Sequence, residues 1–168
     1  RDSSFIKWGK RIHGVCASIV LQKKCFQKGE NISGVFLILN DSGGDRTIYT
    51  EFSPEGWIVR YRIIEKRSGR IVYNSPMVKL TRKPTRHYHC AFLPPGAITG
   101  TKFALAVELP EGEYIIQATY GHLYEVCLIK YGRITPEIPG EPSVWVRQWV
   151  GYVSSAPVEF RVKNNIEN

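Results

Sequence analysis

The sequence predicts an all-β fold of about seven to nine antiparallel strands stacked as a two-layer sandwich. Three observations carry that expectation. Apolar and polar residues alternate with a period of two in WIVRYRII (57–64), YIIQATY (114–120) and VEFRVK (158–163). Clusters rich in Gly, Pro, Asn and Asp separate such runs at short intervals. No stretch sustains a 3.6-residue apolar period between capping residues, as an amphipathic helix would.

Taken in order, residues 15–21 form an apolar, β-branched opening run. QKGEN (27–31) turns into ISGVFLILND, where Val35, Leu37 and Leu39 share one face. SGGD (42–45) has turn composition. In WIVRYRII, Trp57, Val59, Tyr61 and Ile63 point one way with Arg60 and Arg62 opposite, the pattern of a half-buried strand. RSGR (67–70) followed by IVYNS completes a hairpin. Two strands, near 86–92 and 102–107, are punctuated by Pro94-Pro95-Gly96 and Pro110-Glu111-Gly112. In the last strand Val158, Phe160 and Val162 face inward, with Glu159, Arg161 and Lys163 outward.

A chain of 168 residues with 43% hydrophobic and 23% charged content buries a core without metal or disulfide staples, as one domain with its core over about 15–163. GVFLIL (34–39), among the longest apolar runs, falls far short of the roughly 20 residues a membrane-spanning helix requires. RDSSFIKWGKR has no apolar stretch of about 7 to 15 residues and does not read as a signal peptide, so either the protein is cytosolic or a signal has been removed. Cys16, Cys25, Cys90 and Cys127 contain no Cys-x-x-Cys spacing and read as structural, either as two disulfides or as four free thiols. Of the +8 formal charge, residues 60–86 hold nine basic groups against Glu65 alone. That stretch, with Arg60, Arg62, Arg82, Lys83 and Arg86 as candidate contacts, is either the solvated face of a strand pair or an attractor for a polyanion.

LPEGEYIIQATY (109–120) reads as a crossing between sheets. A crossing loop has backbone groups that need partners, and a tyrosine at the start of the receiving strand can bury its ring and bond the loop through its hydroxyl. Tyr114 takes that role, with Leu109 as the apolar anchor and Gly112 suiting the turn.

The series GEN-ISGVFLILN, WIVRYRIIEKRSGRIVY, LPPG, LPEGEYIIQATY and WVGYVSSAPVEFRV resembles bacterial extracytoplasmic immunoglobulin-like or fibronectin-III-like domains over about residues 27–163. It is similar to the sandwich domains beside deuterolysin-type metalloproteases and, more loosely, to bacterial intracellular proteinase inhibitors. The resemblance implies an immunoglobulin-like antiparallel β-sandwich, secreted or periplasmic, with no catalytic motif. No Cys-Trp-Cys spacing of the antibody type brackets the core. The long insertion over about 121–144, before the last strands, has no counterpart in the minimal pattern, and reads as an extra hairpin or a binding loop.

Candidate chemistry is sparse. His87 and His89 are two apart on a strand and share a face, a geometry that can hold zinc or copper, but they read as solvent-facing and no metal is assigned. No Gly-x-Ser-x-Gly, His-Glu-x-x-His or phosphate-cradling glycine loop occurs, so no catalytic residue and no cofactor is expected. Trp145, Trp149 and Tyr152 make either core or an aromatic platform, with Trp145 and Trp149 on one strand face. Tyr124 and Tyr131 of the insertion join Trp145 as candidate contacts. The expectation is a non-catalytic module, monomeric or weakly dimeric, that binds a protein or glycan through its loops and not nucleic acid. A proteinase inhibitor presenting LPPGAITG (93–100) and a polyanion binder are the alternatives.

Overall fold

The computed structural model describes residues 6–49, 59–75, 90–122, 126–130 and 143–164, and it is all-β, without a helix among them. None of these residues form a helix long and apolar enough to cross a membrane. The chain begins with a tight reversal. Ile12 and Val15 exchange backbone hydrogen bonds of 2.9 and 3.0 Å. His13 and Gly14 between them have φ of 48° and 79°. Positive φ at both central residues twists a two-residue turn to match its strands.

From there β1 (Val15–Leu21) pairs antiparallel with β3 (Ile32–Asn40), which pairs on its other side with β8 (Ile98–Leu105). In this three-stranded sheet, Val15, Ala17 and Ile19 stand opposite Asn40, Ile38 and Phe36, and all six are buried. Val35, Leu37 and Leu39 share a face as the alternation requires, but it is the half-buried one. The fully covered face of β3 belongs to Ile32, Phe36, Ile38 and Asn40.

The second sheet has the order β2-β13-β9-β5-β6, made of β2 (Cys25–Gln27), β5 (Val59–Glu65), β6 (Ile71–Asn74), β9 (Gly112–His122) and β13 (Val158–Lys163). β2 runs parallel to β13 and the other pairings are antiparallel, so the sheet is mixed. β12 (Gly151–Ser154) pairs with the far half of β9, Thr119–His122, while β13 pairs with the near half, Gly112–Ile116. The two are one line of backbone with a joint at 155–157. Pro157 has no N–H to offer a ladder. Ser155 takes up the pairing instead: its N–H donates to the Ala118 carbonyl (2.8 Å) and its Oγ accepts the Ala118 N–H (3.1 Å). A parallel bridge from Ser155 to Ala17 ties this joint to the three-stranded sheet.

Two short ladders complete the described residues. β4 (Arg46–Tyr49) pairs with β7 (Cys90–Leu93), and β10 (Val126–Lys130) with β11 (Ser143–Arg147). Thirteen strands are therefore described where about seven to nine were expected. Strands broken across two partners account for part of the excess, and edge strands of three or four residues for more. β8 also begins earlier and ends sooner than the alternation near 102–107 suggested.

Both larger sheets feed one core. Phe36, Ile38 and Leu105 from the first join Tyr61, Ile63, Ile116, Phe160 and Val162 from the second in a single buried cluster. Burying each such aliphatic or phenylalanine side chain fully contributes about 1.5–3 kcal/mol. Cys16 and Cys25 are free thiols, so the two-disulfide pattern does not apply to them; burial pushes the Cys16 thiol above its ordinary pKa.

The crossing into β9 forms as the local pattern requires. Tyr114 is 1% exposed, and its hydroxyl donates to the Pro110 carbonyl at 2.8 Å. Its ring lies 5.5 Å from Phe160 in a stacked arrangement, and Phe160 meets Phe26 edge-on at 5.8 Å. Leu109 is buried beside it. Gly112 lets the ring come close: a Cβ there would stand 3.3 Å from the Tyr114 hydroxyl.

Candidate functional site

The inward residues of β9 build the core, and its outward residues build a patterned surface. Directly opposite residues in an antiparallel pair point to the same face. Ile115 stands opposite Ile64, and Ile64 opposite Ile71, so these three make an aliphatic row across β9, β5 and β6 on the solvent side. Ile64 and Ile115 are half-buried, and Ile71 is 50% exposed.

Charged groups border the row on both sides. Toward β13, Arg161 donates to Glu113 at 2.6 Å, and Lys66 reaches Glu159 at 2.7 Å and Glu113 at 3.8 Å. Arg161 holds the Glu113 carboxyl below the usual carboxylate range, and Glu159 raises the Lys66 ammonium. A depression of about 300 Å³ opens next to this network, where Cys25 and Phe160 meet Lys24, Arg161 and Lys163. On the other side, Arg62 donates to Gln117 Oε1 at 2.9 Å, and Gln117 Nε2 donates to the Ser155 carbonyl at 3.0 Å. Arg60 lies one register step further along β5, opposite Thr119. Among the described residues, neither Arg60 nor Arg62 is paired with a carboxylate. The face thus keeps two arginines without acidic partners among the described residues, beside a row of isoleucines.

Sequence reading placed Arg60 and Arg62 on this face and opposite to Tyr61 and Ile63, and the burial agrees. It missed the isoleucine row. WIVRYRII had shown Ile64 only as the end of an alternation, and no local signal links residues 64, 71 and 115. Arg82, Lys83, Arg86, His87, His89, Tyr124 and Tyr131 lie outside the described residues. Cys90, Cys127 and Trp145 belong to β7, β10 and β11, with only their backbone described. Among the described residues no group of three or more His, Cys, Asp or Glu could hold a metal ion.

The shared strand face expected for Trp145 and Trp149 does not form. β11 ends at Arg147 and β12 starts at Gly151, with Trp149 in the link between them. Trp149 is buried; its indole N–H donates to the Ile12 carbonyl at 3.2 Å and its ring lies 5.5 Å from Tyr120. Gly151, at φ 146°, brings the backbone against that ring, and alternation gives no warning of such a kink. Between β9 and β12, Val126–Lys130 and Ser143–Arg147 pair as an antiparallel ladder, the second strand running past residue 144. β9 ends at His122, and β12 pairs with its flank from Gly151 onward.

No protein-family model and no curated protein matches the chain.

Proposed function

We propose that this chain is a non-catalytic, immunoglobulin-like β-sandwich module that acts outside the cytoplasm by binding a protein or glycan. The strand orders support the architecture. A sheet ordered β1-β3-β8 against one ordered β13-β9-β5-β6 matches strands A-B-E against G-F-C-C′ of that fold. Tyr114 then stands at the start of the strand equivalent to F, the place of the tyrosine corner, and bonds the backbone upstream. Ile116 occupies the position two residues on, where antibody domains carry cysteine, and it packs as plain core.

The observation that carries the binding role is the outer face of β9, β5 and β6, with half-buried Ile115 and Ile64, exposed Ile71, and two arginines that have no acidic partner among the described residues. Location outside the cytoplasm rests on the family resemblance. Site-specific photo-crosslinking in host cells tests both. A photoreactive residue at Arg60, or separately at Val126, is expected to yield one discrete adduct in the extracytoplasmic fraction. Adducts confined to the cytoplasm, or turnover of ester, peptide or glycoside substrates that scales with purified protein, contradict the reading.

A second reading, proteinase inhibition, draws on the 93–97 turn. Asn40 Nδ2 donates to the Leu93 carbonyl at 2.7 Å, the Gly96 N–H to the Asn40 carbonyl at 2.8 Å, and the Ala97 N–H to the Pro94 carbonyl at 3.0 Å. Phe92 and Ile98 on either side are 56% and 50% exposed. A loop ordered in advance binds at lower entropic cost. Nanomolar inhibition in a panel of serine, cysteine and metalloproteases, lost on replacing Ile98 with aspartate, supports this reading; no inhibition across the panel removes it.

A further inference from the structure

We infer that the outer face of β9, β5 and β6 docks an acidic segment of a protein partner, with an apolar side chain of that partner against Ile64, Ile71 and Ile115 and its carboxylates on Arg60 and Arg62. The inference rests on the reading of the chain as an interaction module and names its partner class. Charge selects the partner's sign. The only carboxylates in the described network on this face, Glu113 and Glu159, are already held by Arg161 and Lys66, which leaves Arg60 and Arg62 to be matched from outside. Buried arginines paired across an interface with carboxylates are frequent centres of binding energy.

The same arrangement argues against two other occupants. A polyanion such as a sulfated glycan or a nucleic acid would lay its charges across Glu113 and Glu159 and gain nothing from three isoleucines. A second copy of this chain would bring +8 against +8 and oppose arginines with arginines. An acidic polypeptide with an apolar residue uses both halves of the face. Gln117 fixes one arginine in place: it accepts from Arg62 at 2.9 Å while its amide is anchored on the Ser155 carbonyl, so little side-chain freedom remains to be lost on docking.

The test is selection of a random peptide library displayed on phage against the full chain, followed by titration of synthetic selected peptides. The expected consensus has two or more carboxylates flanking an apolar residue. Its affinity is expected to fall at least about tenfold in Arg60→Glu/Arg62→Glu and about tenfold in Ile115→Ser, each variant first confirmed folded by its unfolding midpoint. Peptides that bind both variants as tightly as the parent chain place the contact elsewhere and overturn this inference while the module reading stands. Failure of the library to yield any binder also overturns this inference, whereas the module reading falls on the photo-crosslinking result. Heparin fragments or duplex DNA that bind tightly, depend on the arginines and ignore Ile115→Ser make the face a polyanion surface. Sedimentation showing a dimer that Ile115→Ser dissociates makes the occupant a second copy. Either result overturns the proposal.

Discussion

Two faces of one strand divide the labour in this molecule. On the inner side of β9, Tyr114, Ile116, Ala118 and Tyr120 are all at most 1% exposed and meet residues of both sheets. On the outer side, Glu113, Ile115, Gln117 and Thr119 are exposed or half-buried and make ion pairs and amide bonds along the sheet. The backbone is shared, so the difference lies in what each side chain loses when truncated. An inner residue leaves a void in a close-packed interior; an outer one leaves water. Stability therefore resides in one register of the strand, and the other register is free to carry recognition.

Substitutions can break or sharpen that division. The largest effect belongs to Phe160→Ala, which removes a ring stacked on Tyr114 and edge-on to Phe26. A loss of about 3–5 kcal/mol is expected by urea unfolding, because both partner rings lose contacts and the site cannot fully collapse. Next comes Asn40→Ala. The Asn40 amide is fully buried; it donates to the Gly44 and Leu93 carbonyls and accepts from the Ser42 N–H and Oγ. Removing it orphans a buried carbonyl and frees a turn, for about 2 kcal/mol and faster proteolytic cleavage within 41–45.

Tyr114→Phe keeps the ring and removes only the hydrogen bond to Pro110, so about 1–2 kcal/mol is expected with the fold intact by circular dichroism. Burial already pushes the Tyr114 hydroxyl above its ordinary pKa, which keeps it a donor throughout the usual pH range.

The smallest effect is expected on the outer face. Glu113 has its pKa lowered from 4.5 by Arg161, so its contribution is complete above that value and is lost as pH falls through the lower folded pKa. Lys66 has its pKa raised from 10.5 by Glu159, so its contribution holds below that value and is lost as pH rises through the higher one. The difference in Tm between the parent chain and Glu113→Gln is expected to be small and flat between these limits and to vanish in acid. A difference that grows in acid would contradict the network.

What could be read from sequence followed the reach of the signal. Val158, Phe160 and Val162 lie inward and Tyr114 clamps its corner, because a period of two and a Pro-x-Gly-x-Tyr turn are local patterns. The parallel pairing of Cys25, Phe26 and Gln27 with Arg161, Val162 and Lys163 had no local trace, since three residues carry no period and the partner lies at the other end of the chain. Trp149 misled for a related reason: VWVRQWV alternates, but the ladder stops at Arg147 and the indole turns into the core against Gly151. The face proposed for docking was half legible. Its arginines stood out by charge, whereas its isoleucine row exists only once β5, β6 and β9 lie side by side.

Adjacent residues of β9 allow the most direct test. Urea unfolding of Ile116→Ala and Ile115→Ser, measured side by side, compares the two registers with nearly everything else held constant. A loss of about 2–5 kcal/mol for Ile116→Ala against about 1 kcal/mol or less for Ile115→Ser is the expected result. Equal losses, or a larger one for Ile115→Ser, would mean that the outer face is structural and that the division drawn between the two registers is wrong.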